Sequence, residues 1–187
     1  MNILNDGSVM DHLGINPLIE KEIILPDGRY LQRLLMEEDR AHVLDLFDHL
    51  SAKSRYYRYA QQLKTLPESL LQRIISAHHR DDLAIGSFFY TKNDLQGSLV
   101  GIARYVQEGD SHCAEFSLSV RDDFHHRGIG SSLMKNLFEY AKSNGFTELH
   151  GYVLADNHEM LSLMAHLGAT ISTHPEDFSS RITTFHL

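Results

Sequence analysis

A chain of 187 residues with 42% apolar and 22% charged side chains can bury about 70% of its unfolded surface in one domain, which excludes bulk disorder, collagen-like repeats and a disulfide scaffold. Seventeen Lys and Arg against 25 Asp and Glu leave a net charge of −8, which argues against a nucleic-acid partner and suits a cationic one. The one cysteine, Cys113, excludes an internal disulfide and suits a reducing, cytoplasmic setting, and with no apolar run near ~20 residues and no secretory pattern at the N-terminus, no membrane span is expected.

Residues 1–20 mix Asn, Asp, Gly and Pro with scattered apolar positions. They read as an N-terminal lead-in that packs on the domain or on a second copy of the chain, as in a homodimer, and the domain itself is assigned to 21–187. Asp27-Gly28 signals a turn after a short apolar stretch, and 30–35 reads as a strand. Asp39 is placed to cap a helix whose apolar positions are Val43, Leu44, Phe47 and Leu50, and a second helix is expected from Pro67, with Leu70, Leu71, Ile74 and Ile75 inward. The period then changes: 83–90 and 98–106 read as a hairpin separated by Asn93-Asp94 and Gly97. A strand over 113–120 alternates, with Ala114, Phe116, Leu118 and Val120 on one face and Cys113, Glu115, Ser117 and Ser119 on the other. From Gly128, apolar residues at 129, 133, 137 and 141 predict a helix stopped at Asn144-Gly145; a strand at 149–154, a helix at 157–167 and final strands around Ile171 and 182–187 follow. The order specifies α/β architecture, a single domain with a mixed central sheet flanked by helices.

The segment from Val120 to Leu133 carries the clearest chemistry. A strand ends, and His125-His126-Arg127-Gly128-Ile129-Gly130-Ser131 leads straight into the amphipathic helix. Two glycines permit close approach to the backbone, and the unsatisfied N–H groups and dipole of the helix start favour an anion such as a pyrophosphate, with Arg127 placed to add a cation. A Walker loop needs Lys then Ser or Thr after its glycine, but Gly130 precedes Ser131 and Ser132; the Rossmann fingerprint needs a third glycine where Leu133 stands.

The segment as a whole resembles the acetyl-CoA site of the GNAT N-acetyltransferase superfamily, whose Gln/Arg-x-x-Gly-x-Gly/Ala signature is matched by His125-x-x-Gly128-x-Gly130. The resemblance runs from about residue 30 to the C-terminus, and LSAKSRYYRYAQQLKTLPESLL is similar to a segment of Pat-like bacterial protein lysine acetyltransferases. The resemblance implies a sheet whose fourth and fifth strands splay apart, with Leu118 and Val120 meeting the pantetheine arm through backbone groups. It further implies that the run from His125 and His126 through Arg127, Gly128, Ile129, Gly130 and Ser131 wraps the pyrophosphate, and that Asn157 touches the far side of acetyl-CoA, the acyl donor. His125 departs from the pattern, standing where Gln or Arg is usual.

Acetyl transfer to an amine needs the neutral amine, and Glu115, on the polar face of its strand, is the candidate base. The resemblance points to the same residue, since Ala114-Glu115 matches the Ala-Glu pair of Pat-like enzymes. Many GNAT enzymes carry an acid Tyr seven residues after the Asn; here that residue is Met164, and no acid is assigned: the Tyr152 hydroxyl could substitute, but a strand Tyr more often only packs. Thirteen histidines show no zinc spacing, and no metal is expected. Cys113 reads as a half-buried thiol, and the run Ser54 to Tyr59 either lines the acceptor entrance or packs as a helix connection. The acceptor is expected to be a primary amine, a protein lysine ahead of a small polyamine-like molecule; a non-catalytic acyl-CoA-binding regulator is the alternative from another class.

Overall fold

An eight-stranded mixed sheet organises the residues that the computed structural model describes, 21–25, 28–91 and 94–187. In chain order the elements are β1 (Lys21–Leu25), β2 (Gly28–Leu34), α1 (Arg40–His49), α2 (Ala52–Tyr59), α3 (Glu68–Ile75), β3 (Asp82–Thr91), β4 (Asp94–Gln107), β5 (Cys113–Val120), α4 (Ile129–Ser143), β6 (Glu148–Leu154), α5 (His158–His166), β7 (Thr170–Thr173) and β8 (Ser180–His186). The strand order is β1-β2-β3-β4-β5-β6-β8-β7, antiparallel throughout except for the parallel pair β5–β6. The lead-in, the turn residue Asp27 and Asn93 lie outside the described residues.

Alternation along β5 sends Ala114, Phe116 and Leu118 to one side of the sheet, where they meet Leu133, Met134, Leu137 and Ala141 of α4 and Met164 of α5. Burying each large apolar side chain here stabilises the fold by roughly 1.5–3 kcal/mol. On the opposite side, Val43, Leu46 and Phe47 of α1 and Leu71, Ile74 and Ile75 of α3 cover Ala84, Phe88, Leu99 and Ile102. These two layers place the polar residues of β5 beneath α2, at the edge of the second core.

Three helices, not two, lie between β2 and β3. The extra one, α2, lacks an apolar stripe, so periodicity passes it over. Its Ser51 cap accepts from the Ser54 N–H at 3.1 Å, and Ala60 ends it in the left-handed conformation. Arg55 then ties it down by donating to the carbonyls of Phe47, Asp48 and Lys64 while lying over the Phe47 ring. Asp39 precedes α1 without capping it through its side chain. Its carboxylate is instead held by Arg33, at 2.6 and 2.7 Å, and by the Met36 N–H; burial pushes its pKa up, but these donors win and hold it below the usual range.

The splayed strands are β5 and β6, fifth and sixth because β1 adds a strand at the start. They pair over three positions, Cys113 with Glu148, Ala114 with Leu149 and Glu115 with His150. The next residue, Phe116, acts as a wedge: its ring lies over Gly151, where an added Cβ would come within 2.8 Å of it. Beyond that point β5 keeps its bonds to β4, and β6 keeps its bonds to β8.

Candidate active site

Where β5 and β6 part, a cleft of 870 Å³ opens, with the loop before α4 at one end and the polar face of β5 at the other. The loop is shaped by two left-handed residues, His126 (φ 60°) and Gly128 (φ 79°), set either side of Arg127. Phe124 anchors it, buried edge-on against the rings of Phe89 and Tyr30. The first intrahelical bond of α4 runs from the Ser132 N–H to the Gly128 carbonyl, 2.9 Å, so the amides of Ile129, Gly130 and Ser131 have no intrahelical acceptor and point out of the helix start. That set of donors at the positive end of a fifteen-residue helix fits a diphosphate. Gly130 serves close packing, since a Cβ there would sit 3.2 Å from Leu163 and 3.4 Å from Leu118; around Gly128 the space is open, and its φ is what demands glycine.

Leu118, Val120, His125, His126, Gly128, Ile129, Gly130, Ser131 and Asn157 all line the cleft. Arg127 does not, contrary to expectation. Its guanidinium folds back over the Phe124 ring, 4.6 Å from the centroid, and donates to the Asp123 carbonyl, while the residue stays exposed; cation–π packing on the loop's own anchor turns it from the cleft. His125 keeps its backbone place in the loop while its ring spans the gap: Nε2 donates to the Val120 carbonyl at 3.0 Å, and Nδ1 lies 3.6 Å from the Glu159 carboxylate of α5. Asn157 caps α5, its side-chain oxygen accepting from the Met160 N–H at 3.2 Å.

Two contacts that sequence reasoning missed join α2 to the cleft. Asp122 accepts from the Ser51 N–H and from the hydroxyls of Ser51 and Ser54, at 2.8–3.0 Å. Burial pushes its pKa up, and these donors more than reverse that, holding it low. Tyr57 reaches across to donate to the Asp156 carbonyl, 3.2 Å. Neither partner is near the other in sequence, although the aromatic and basic run 54–59 was the available signal.

At the strand end, Glu115 is exposed and lines the cleft, between Val106 of β4 and His150 of β6 in the sheet register. His150 is buried and lies 3.3 Å from the Glu108 carboxylate. Tyr152, also on the cleft, is 49% exposed; partial burial and the carboxylates of Glu108 and Glu115 raise its pKa, so it holds its proton at neutral pH. Met164 is 0% exposed in the core under α4 and is absent from the cleft wall. Among the described residues no group of His, Cys, Asp and Glu could hold a metal ion, and no helix is long and apolar enough to cross a membrane.

A parted sheet with the free amides of a helix start at one end of its cleft and a carboxylate at the other fits a long phosphorylated ligand. The acetyltransferase (GNAT) family model matches residues 44–169, and the chain belongs to that family, as an acetyl-CoA-dependent acetyltransferase. It is 30% identical over 157 residues to an acetyltransferase of Pseudomonas aeruginosa, covering 82% of each chain. It is 33% identical over 114 residues to the acetyltransferase Pat of Mycolicibacterium smegmatis, spanning 60% of this chain and 33% of that protein. The fold superposes on the GNAT domain of S. lividans PAT with a TM-score of 0.82 at 20% identity, covering 90% of this chain and 97% of that one. An N-acetyltransferase of Thermoplasma acidophilum, solved with coenzyme A, gives a TM-score of 0.64 at 20% identity over 84% and 99% of the two chains.

Proposed function

We propose that the protein transfers the acetyl group of acetyl-CoA to a primary amine on another protein, a lysine, by direct attack with Glu115 as general base. The observation that carries this reading is the position of Glu115: exposed in the cleft, on β5, one residue before the point at which that strand leaves β6. Acetyl-CoA, as donor substrate, supplies the activated acyl group; Ile129, Gly130 and Ser131 hold its diphosphate through their amides, with Leu118 and Val120 along its arm and Asn157 opposite.

A lysine ammonium with pKa near 10.4 costs ~4–5 kcal/mol to deprotonate at neutral pH. Glu115 takes that proton, directly or through a water, as the amine nitrogen bonds to the carbonyl carbon. A backbone N–H of β5 facing the gap stabilises the oxygen as it gains charge. The carbon–sulfur bond then breaks, and the thiolate leaves without a dedicated acid, since a thiol pKa of ~8.5 makes it a good leaving group. Tyr152, which keeps its proton, is one cleft residue able to return one to the sulfur.

A macromolecular acceptor is supported by apolar exposure along β6 and the turn beside its end. Tyr152 is 49% and Phe178 80% exposed, and the Phe178 turn is joined to the end of β6 by the Ala155 N–H to Ser179 carbonyl bond. The Pat-like segment over α2 supports the same choice. We assign the catalytic domain to 21–187 and its setting to the reducing cytoplasm, and the exposed edge strand β7 supports pairing with a second copy. Met164 favours one competing reading, a non-catalytic acyl-CoA-binding protein.

The test supplies the purified chain with acetyl-CoA and either lysine peptides or polyamines, and follows free thiol. Release with peptides above background is the expected result. Release with polyamines alone would move the acceptor to small molecules, and tight acetyl-CoA binding without release would establish the non-catalytic reading.

A further inference from the structure

We propose that Arg58 is an anion anchor beside Glu115, and that the acceptor is a primary amine carrying a carboxylate close to the reacting nitrogen. This rests on the reading of the cleft as an amine acetylation site.

Arg58 stands in the last turn of α2 and is turned inward, half-buried. It lines the main cleft on one side. On the other it borders an enclosed cavity of 20 Å³ shared with Tyr59, Arg104, Ser117 and Ser119, room for about one water. A guanidinium has five N–H donors. One of them reaches the Ser117 hydroxyl at 2.8 Å, and the guanidinium lies 5.1 Å from the centre of the Tyr59 ring. Among the described residues no carboxylate pairs with it.

Three other arginines of this protein, by contrast, hold a carboxylate with two donors each. Arg33 is held bidentate by Asp39, Arg104 by Asp82 at 2.7 and 2.5 Å, and even the surface residue Arg40 by Glu68 at 2.8 and 2.5 Å. The Arg104 pair sits on the far side of the small cavity and brings a second cation toward Arg58 while its carboxylate is already engaged. Burial lowers the pKa of Arg58, yet a guanidinium stays charged at neutral pH. Glu115 acts on it only at a distance, without an ion pair, and a half-buried cation with no carboxylate in contact is destabilising by itself. A ligand carboxylate reaching Arg58 through the cleft would remove that cost and fit the fork bidentately.

The placement also sets the spacing. Ser117, which holds Arg58, follows Glu115 by two residues on the same face of β5, so their Cα atoms are about 6.7 Å apart. An amine delivered to Glu115 therefore brings groups roughly 7 Å from its nitrogen against Arg58. A second ammonium there would face a cation, which selects against polyamines; a carboxylate would be drawn in. Either an Asp or Glu beside a peptide lysine or the free carboxylate of a small amino acid supplies this chemistry.

The experiment titrates the full chain, loaded with coenzyme A, with two matched pairs of probes by calorimetry. One pair is the blocked peptides Ala-Lys-Glu and Ala-Lys-Gln; the other is Nα-acetyllysine and its amide. The expected result is about tenfold or tighter binding of the carboxylate member in at least one pair. The preference should vanish in Arg58→Gln and survive in part in Arg58→Lys. The pair that discriminates identifies the source, a neighbouring side chain or a free carboxylate. Equal affinities within both pairs, no binding by any probe, or a preference that persists in Arg58→Gln would overturn the assignment; if Arg58→Gln does not fold, the parent's two pairs decide alone. Thiol release from acetyl-CoA with the same probes separates the two levels: none with any amine refutes acetylation, while a carboxylate preference in binding would still establish the anchor.

Discussion

At the loop end of the cleft the donors proposed for the ligand belong to the main chain, the amides of Ile129 to Ser131 at the start of α4. At the strand end the polar groups are side chains brought from separate elements: Glu115 and Ser117 from β5, Tyr57 and Arg58 from α2, Tyr152 from β6. A main-chain cradle depends on φ angles and a helix start, so it survives exchange of most side chains, including His125 for the usual Gln or Arg. A side-chain constellation has no such tolerance. The first kind of site holds what every member of a family binds, and the second decides what each member acts on.

The largest break in that comparison should come from Glu115→Gln. Turnover is expected to fall roughly 10²- to 10⁴-fold, with coenzyme A affinity within about twofold of the parent, because the loop end is untouched. Equal turnover of the two proteins across roughly pH 6 to 9 would remove Glu115 from the chemistry. Gly128→Val makes the reciprocal break. Nothing lies within 4 Å of the position an added Cβ would take, so the fold persists, but φ of 79° strains any L residue. That strain, ~1–2 kcal/mol and more for a β-branched side chain, should shift the loop and weaken coenzyme A about tenfold or more by calorimetry; an unchanged affinity would contradict the cradle.

Met164→Tyr sharpens the contrast. Restoring the family's tyrosine should not raise turnover, since position 164, on α5, is fully buried in the core it shares with α4. Thermal or urea unfolding should show a loss of ~1–3 kcal/mol from overpacking instead. A clear gain in kcat would mean that the helix can turn this side chain into the cleft.

The smallest effect is expected at the joint between the two ends. Asp122→Asn loosens α2 from the loop, and the acceptor KM should rise a few-fold with little change in coenzyme A affinity. The folded carboxyl titrates below its unfolded value of about 3.9. Its contribution is therefore complete above that value and disappears as pH falls through the folded one. Because the group is exposed, screening limits the difference to about 1 kcal/mol or less, and the stabilities of parent and variant should converge in acid. A gap that widened as pH fell would refute the assigned hydrogen bonds.

The same contrast explains what the sequence made legible. Strand alternation at 113–120 and four-residue spacing from Ile129 are local patterns enforced by one buried face, and β5 and α4 follow them. The glycine-bearing loop was legible because backbone demands leave glycines behind. Helix α2 was not, since its stability comes from Arg55 reaching carbonyls outside the helix and from Asp122, 68 to 71 residues away. Nor was the packing of Arg127 over the Phe124 ring, a contact that no spacing encodes.

Among the described residues, the β ladder that joins the five strands β1 to β5 to the remaining three is three residue pairs long. Mechanically the sheet is two plates joined along a short seam, with the Tyr57 bridge and the His125 ring as struts across the opening. A long ligand lodged between the plates works as a stitch, and at a hundredfold excess over its Kd adds about 2.7 kcal/mol of stability. That gain should be concentrated in slowed amide exchange along 116–120 and 151–154, leaving the hairpin β3–β4 much as it was.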